Sequence, residues 1–581
     1  MPSMRPGRAL KEVLTMSDIT LEINGRKVQG SSGDTILKVC EKNAIVVPTL
    51  CHFEGLADIG VCRMCLVEVK GARGLVPACT TQATDGMAIV TENDEIRDLR
   101  RSNLEMLFSE RNHFCMFCEK SGDCELQKLA YEYGLDHISY GFFWPELPMD
   151  ISRKYFLYDQ NRCILCRRCV RACEELAGHA VLTVRDRGPK SMICADVDLP
   201  FNESTCVSCG TCLQVCPTGA LADRKSTYIG RQEHMTKTRS ACAFCSVGCE
   251  VEISSRDGEP LRIEGIFGQG PTSGILCSKG RFEPLFEANK RLDRPLLRED
   301  EGKRSLNLNE ALSVLAKKIK EWGINSFAGL ISPRATNEAA FQFKMLFGDN
   351  VFLIDSFSVP LGNASIEEID DADCIVVVGA NLDEEFKALS SFVKRGANLG
   401  STVVVMGSAG AKVDIRATYR FHDEDIDSLS EVMGRFSNPL VVYGPGTKRS
   451  VMEFLWGLRP GVRQLGLARG SNIRGIEKLK IKPWKKDKGF RGLYALLGDF
   501  EVSDDLLGQL GNAEFLAVQS CYENEAVNYA DLALPSRLWF ERSGTYINTE
   551  GKVRHLEAIP EIALSLPSDE EILKGLIRLL D

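Results

Sequence analysis

The stretches CILCRRCVRAC, residues 163–173, and CVSCGTCLQVCP, residues 206–217, decide how this chain is read. Each sets cysteines at C-x2-C-x2-C-x3-C: Cys163, Cys166, Cys169 and Cys173, then Cys206, Cys209, Cys212 and Cys216, the second run closed by Pro217. Eight thiols at one repeated spacing point to soft metal ligation. Working outward, 23 of the 581 residues are cysteine, and all but Cys374 and Cys521 precede residue 278. A secreted disulfide scaffold is short, cysteine-rich throughout and led by a signal peptide. The start MPSMRPGRALKEVLTM lacks the apolar core of roughly 7 to 15 residues that such a signal needs. Thiolates in a reducing, cytoplasmic compartment are the better reading.

Composition narrows the classes further. A net charge of -9, with 44% apolar and 26% charged residues, is ordinary for globular protein and offers no basic stripe for nucleic acid. No apolar run approaches the 18 or so residues of a membrane span. At about 150 residues per domain, the length predicts about four domains. Met16 opens a cleaner start, MSDITLEINGRKV, so the first fifteen residues read as a loose extension or a start-site artefact.

The paired runs resemble the bacterial two-cluster ferredoxins, in which the fourth cysteine of each motif ligates the other cluster. That resemblance implies one [4Fe-4S] cluster on Cys163, Cys166, Cys169 and Cys216, and a second on Cys206, Cys209, Cys212 and Cys173. Glu174 stands where those motifs often have proline, which changes a turn and not a ligand.

Three further groups flank this pair. Cys51, Cys62, Cys65 and Cys79 follow ITLEINGRKVQG, which predicts a hairpin turning at Asn24-Gly25, and GDTILKVCEKN, which predicts a helix entered through Asp34. The ten-residue gap departs from plant-type ferredoxin spacing. It resembles the N-terminal β-grasp [2Fe-2S] domain shared by the complex I large subunit, iron-only hydrogenases and NAD-linked formate dehydrogenases. A four-cysteine zinc site would favour two C-x2-C knuckles.

In NHFCMFCEKSGDCELQ, Cys115, Cys118 and Cys124 are one ligand short of a cubane. In the same families an upstream histidine completes it, usually as H-x3-C, and here His113 stands at H-x-C. The alternative is a packed histidine with another group or water as fourth ligand. Cys242, Cys245, Cys249 and Cys277, the last within CSKGRF, resemble the [4Fe-4S] start of the molybdopterin oxidoreductase superfamily. Lys279 is expected near that cluster, or as a solvated or structural lysine.

Cys40, Cys194, Cys374 and Cys521 remain, and burial in apolar sequence is their expected explanation. From residue 305, CIVVVGAN, STVVVMGSAG and NPLVVYGPG predict parallel strands in Rossmann-like units. GPGTKRS lacks P-loop spacing, so its glycines read as turn residues. The closing run resembles a molybdopterin-superfamily pattern through Glu525, Ala530, Asp531, Leu534, Pro535, Glu541, Gly544, Thr545, Asn548, Glu550 and Gly551.

The expected fold is multidomain α+β and α/β. Its domains are a β-grasp [2Fe-2S] ferredoxin-like domain at 16–93, a [4Fe-4S] domain with one histidine and three cysteine ligands at 94–145, and a two-cluster ferredoxin domain at 150–228. A molybdopterin-oxidoreductase-type [4Fe-4S] domain at 236–295 and a shortened, degenerate α/β domain at 305–581 follow. Cys374 and Cys521 have no histidine beside them and no further cysteine motif follows, so neither a formate nor an iron-only hydrogen site is expected, and no molybdopterin.

The resemblance therefore implies an electron relay with one [2Fe-2S] and four [4Fe-4S] clusters in an NAD(H)-linked oxidoreductase, without its own substrate site. The eight-cysteine ferredoxin region resembles that of NAD-linked formate dehydrogenases and of hydrogenases, and with neither active-site type expected here the resemblance favours the iron-sulfur subunit of an electron-bifurcating hydrogenase whose catalytic metal is on another chain. Its implied partners are a flavin-containing NADH-binding subunit, a small [2Fe-2S] thioredoxin-like subunit, a hydrogenase or other catalytic module, and ferredoxin. The rival readings are a truncated molybdenum or tungsten formate dehydrogenase and a complex I-type NADH dehydrogenase subunit.

Overall fold

The hairpin foreseen at Asn24-Gly25 is present: Asp18–Ile23 pairs antiparallel with Arg26–Ser31. Both turn residues have positive φ, 51° and 77°, as a two-residue turn matched to strand twist requires. The computed structural model that shows this describes residues 17–229, 231–286, 289–300, 302–354, 362–458, 461–485, 489–560 and 566–581. The supposed extension before Met16 lies outside the described residues. The chain divides into two compact units, Met1–Met235 and Thr236–Asp581.

In the first unit the hairpin joins a five-stranded mixed sheet, with Ala88–Val90 parallel to its first strand and Leu66–Val69 beyond. Alternate residues Ile19, Leu21 and Ile23 face inward onto Ile36, Leu37 and Val39 of the helix Ile36–Lys42. That helix is capped by Thr35, not Asp34: the Thr35 hydroxyl accepts from Lys38 N at 3.3 Å. Asp34 instead accepts from Ser31 N at 3.0 Å and from Lys42 Nζ at 2.6 Å, which fixes the loop before the helix. A long helix, Asp94–Glu110, capped by Asn93, follows. Its buried Arg100 donates to Leu66 O at 2.8 Å and Thr91 O at 3.0 Å, locking helix to sheet. Beyond it, Phe156–Asp159 pairs antiparallel with Leu221–Asp223, closing the segment that carries the eight-cysteine pair.

The second unit opens with an antiparallel meander, Thr236–Ala241, Glu250–Arg256 and Glu259–Gly265. Two larger sheets follow. Strands Cys374–Val378, Thr402–Met406 and Pro439–Tyr443, all foreseen, form an all-parallel sheet with Tyr419–Phe421 and Arg463–Gly466. Every residue of Cys374–Val378 and Pro439–Tyr443 is buried, as in a parallel sheet covered on both faces. The other sheet has eight strands and is mixed, with Phe327–Ile331, Gly492–Gly498 and Phe515–Ser520 parallel at its centre. The glycines of GPGTKRS make a close backbone approach: Gly446 N donates to Gly379 O at 2.7 Å. A Cβ on Gly379 would collide with the backbone of Gly446 and Thr447, and its φ of +55° favours glycine.

Among the charged groups inside the parallel sheet's flank, Lys394 is 3% exposed and donates to Asp383 at 3.0 Å. Burial would raise the Asp383 carboxyl, but Lys394, Ser390 and the Lys412 N–H together hold it below the usual range. Its contribution to stability is therefore present above the ordinary carboxylate pKa and is lost as pH falls through the lower folded value. Asp383→Asn strands a buried ammonium and is expected to cost about 3 to 5 kcal/mol. Hydrogen exchange across Thr402–Met406 should accelerate by about a hundredfold or more.

Candidate metal centres

Cys51, Cys65 and Cys79 are each 1% exposed and, with Cys62, draw together between the sheet and the loop that follows Leu50. Their sulfurs are hydrogen-bonded in a chain, Cys62 and Cys79 to Cys51 and Cys79 again to Cys65. These bonds drive the Cys51 thiol well below its ordinary value and the Cys65 thiol down to about 7, against the burial that would raise both. Leu50 N also points at Cys62 Sγ, at 3.4 Å.

Cys115, Cys118, Cys124 and His113 line one cavity of about 300 Å3, with Phe108 and Arg162 on its wall. His113 Nε2 is shielded from solvent and has no hydrogen-bond partner. Phe108 packs edge-on against its ring at 5.5 Å. Burial, and then the charges of Arg162 and Arg111, push the imidazole down to about 3, so the ring is neutral near pH 7 with a lone pair free. Gly219 closes the floor, where a Cβ would stand 2.6 Å from Cys118 Sγ.

The paired motifs cross over. Cys173 lines a cavity of about 380 Å3 with Cys206, Cys209 and Cys212 of the other motif. Cys216 in turn lies among Cys163, Cys166 and Cys169: burial, then its charge, raises the Cys166 thiol, and burial with all three neighbouring thiols raises Cys169. The two loops repeat one backbone shape. Leu165 and Ser208, at matching positions, have φ of 51° and 55°, and each N–H points at the first sulfur of its motif, Cys163 and Cys206, at 3.4 Å. Arg167 and Gly210 match again, at 58° and 75°.

In the second unit, Cys242 and Cys249 are buried beside the partly exposed Cys245 and Cys277, and burial and the charge of the neighbouring thiols raise Cys242 and Cys249. The closing run of the sequence braces their loop: Thr549 N donates to Ser246 O at 2.6 Å and Asn548 Nδ2 to Val247 O at 3.2 Å. Burial raises Cys245 to about 12, with Arg334 and Lys279 acting in the opposite direction. Lys279 thus stands beside the group, as expected. It also lines a cavity of about 1450 Å3 outside the carboxyl ends of the central strands, with Arg334, Asp499, Glu501 and Glu523. Arg334, which the sequence did not single out, stacks over the Phe244 ring at 5.0 Å.

Among the described residues, no three His, Cys, Asp or Glu side chains close on a point tightly enough for a single bare ion. Two of the groups surround cavities instead, Cys115, Cys118 and Cys124 with His113, and Cys173 with Cys206, Cys209 and Cys212, and a sulfur-rich donor set around a volume suits an iron-sulfur cluster. Of the remaining thiols, Cys40, Cys374 and Cys521 are fully buried, as expected. Cys194 departs from that expectation: it sits on the edge hairpin Leu182–Arg185 with Met192–Ala195 and is partly exposed.

Known families match along the chain in the order in which the groups occur. They are a 2Fe-2S iron-sulfur cluster binding domain at 17–94, an NADH-ubiquinone oxidoreductase-G iron-sulfur binding region at 100–139 and a 4Fe-4S dicluster domain at 162–220. A molybdopterin oxidoreductase Fe4S4 domain at 235–286 and a molybdopterin oxidoreductase domain at 476–578 follow. The second G-type NADH-quinone oxidoreductase chain of Rhizobium meliloti is 31% identical over 70% of this chain and 50% of its own length. The NADPH-Fe(3+) oxidoreductase subunit alpha of Geobacter sulfurreducens is 28% identical over 75% of this chain and 51% of its own. The chain thus spans about half the length of these curated relatives. A chain of an NAD+-reducing [NiFe]-hydrogenase structure is 31% identical, covering 37% of this chain and 92% of that one, with a TM-score of 0.36.

Fold and families together define an iron-sulfur protein with one [2Fe-2S] domain and several [4Fe-4S] domains, arranged as α+β modules ahead of a molybdopterin-oxidoreductase-type α/β domain. More particularly, the chain is related to the large iron-sulfur subunit family of complex I. Among the described residues no helix is long and apolar enough to cross a membrane.

Proposed function

We propose that this chain is the electron-relay subunit of an NAD(H)-linked multi-subunit oxidoreductase, passing single electrons along one [2Fe-2S] and four [4Fe-4S] clusters. The observation that supports this most directly is the convergence of the cysteines in five groups, two of them crossed between motifs. Cys51, Cys62, Cys65 and Cys79 would hold the [2Fe-2S] cluster. His113 with Cys115, Cys118 and Cys124, the two crossed sets, and Cys242, Cys245, Cys249 and Cys277 would each hold a cubane. The clusters supply the one-electron chemistry. The protein's part is to shield them, to aim N–H groups at their sulfurs, as Leu165 and Ser208 do, and to set potentials by charge and burial.

No molybdopterin is expected in the large cavity. Its wall carries Asp499, Glu501 and Glu523 against Lys279 and Arg334, a poor match for an anionic pterin. Cys374 is enclosed in a strand, and Cys521 Sγ is turned to Arg537 O at 3.0 Å. The complex we favour is an electron-bifurcating hydrogenase whose catalytic metal is on another chain, with a flavin-containing NADH-binding subunit, a small [2Fe-2S] thioredoxin-like subunit and ferredoxin as partners. A formate dehydrogenase is the second reading, supported by the molybdopterin oxidoreductase match at 476–578.

Metal analysis of the anaerobically purified chain is expected to give about 18 iron per chain, two plus four cubanes, and no molybdenum or tungsten. Stoichiometric molybdenum or tungsten would overturn the relay and make formate the first substrate to try. Within the relay, Cys245→Ala should remove one cubane signal from the reduced spectrum. Electron flux that persists unchanged in that variant would place the fourth cubane off the main path.

A further inference from the structure

We propose that Arg171 is a positioning residue that holds the [2Fe-2S] site and the neighbouring [4Fe-4S] site in one charged bracket and raises the reduction potentials of both. The inference rests on the ligand sets assigned above. Arg171 is 6% exposed, on the short helix Arg168–Arg171 that carries Cys169. Its guanidinium donates to the carbonyl of Cys51 at 2.5 Å, to that of Cys166 at 3.3 Å and to that of Ala57. Cys51 and Cys166 belong to different clusters, so one buried side chain grips a ligand residue of each.

The neighbours on the same helical face extend the grip. Positions 168, 171 and 175 follow one another at helical spacing. Arg168 makes a bidentate pair with Glu125, at 2.7 and 2.8 Å, and Glu125 directly follows Cys124 of the His113 group. The same guanidinium lies 5.7 Å from the ring of Phe53, on the Cys51 loop. Glu175 accepts from Ala57 N at 2.7 Å, holding the other end of that loop. Arg168 thus has a carboxylate forked onto it, whereas the Arg171 charge is met by carbonyl dipoles.

A cluster gains a negative charge on reduction, so a buried cation beside it favours the reduced form. Because Arg171 reaches the backbone of two ligand loops, its charge acts on both clusters, and its planar fork fixes the spacing of the two loops. Glu175, close to Arg171 and of opposite sign, acts in the reverse direction.

EPR-monitored redox titration of the full chain at pH 8 tests this. In Arg171→Met, both the [2Fe-2S] signal and one cubane signal should titrate lower. At the wild-type midpoint of each, the reduced-to-oxidised ratio should fall about tenfold, ~59 mV for one electron. Arg171→Lys, which keeps the charge, should recover at least half of each shift. Glu175→Gln, which still accepts from Ala57 N, should raise both midpoints. Midpoints that stay put in Arg171→Met, or a shift in only one cluster, would overturn the proposal. So would equal shifts in Arg171→Met and Arg171→Lys, which would mean a steric effect alone. If Arg171→Met fails to load iron, Glu175→Gln decides by the sign of its shifts, and unmoved midpoints there refute the bracket. Absence of the two signals from the wild-type chain would instead refute the ligand sets themselves.

Discussion

Cys216→Ala is expected to remove the cluster bounded by Cys163, Cys166 and Cys169, which lie in the other motif, and to leave the one bounded by Cys206, Cys209 and Cys212. The loss should be about four iron per chain and one cubane signal. The opposite variant, Cys173→Ala, should remove the other cluster. The physical basis is the crossing seen in the fold: Cys173 lines the cavity of the second motif, and Cys216 lies among the thiols of the first. Were each motif self-contained, the two variants would exchange outcomes. The signals are told apart by comparison with Cys163→Ala and Cys206→Ala: Cys216→Ala should lose the same signal as Cys163→Ala, and Cys173→Ala the same signal as Cys206→Ala.

The second large effect falls on His113. His113→Ala should lose about four iron and the cubane of Cys115, Cys118 and Cys124, whereas His113→Cys should retain it at a lower potential, since a thiolate brings a negative charge that a neutral imidazole lacks. In the wild type, pulsed EPR should show a nitrogen coupled to that cluster, and in His113→Cys the coupling should vanish. The imidazole is suited to the role because Nε2 is shielded, unpartnered and in the same cavity as the three sulfurs. A chain that keeps the cluster in His113→Ala, with no nitrogen coupling in the wild type, would make the ring a packing residue only.

How much of this could be read from sequence follows from what constrains each residue. Cysteine spacing was legible because a cluster would fix how far apart its ligands stand along a loop, and the fold draws near one another the side chains that the spacing grouped. The hairpin at Asn24-Gly25 was legible because few residues accept two positive φ values in succession. The helix entry slipped by one residue because Asp34 and Thr35 are both good caps, and only the position of Lys42 and Ser31 N decides between them. The strands beyond residue 305 were legible as apolar runs, but their division into two sheets was not, since Phe327–Ile331 pairs with Gly492–Gly498 across the whole of the other sheet. Arg168 and Arg171 were not legible at all. In RRCVRAC they look like solvated charge, and nothing local says that their targets are Cys51, Ala57 and Glu125.

The crossing of Cys173 and Cys216 also bears on how long the protein survives. On the ligand sets proposed above, each cube would fasten positions on both motifs, so the pair would work as two interlocked staples that restrict the chain much as cross-links do. Loops held at positive φ by Leu165, Arg167 and Ser208 have little reason to keep that shape once iron leaves. A single oxidised cube would then loosen the partner cube's fourth ligand as well. With those ligand sets, iron supply and oxygen exposure should govern the turnover of this polypeptide, with damage arriving in pairs.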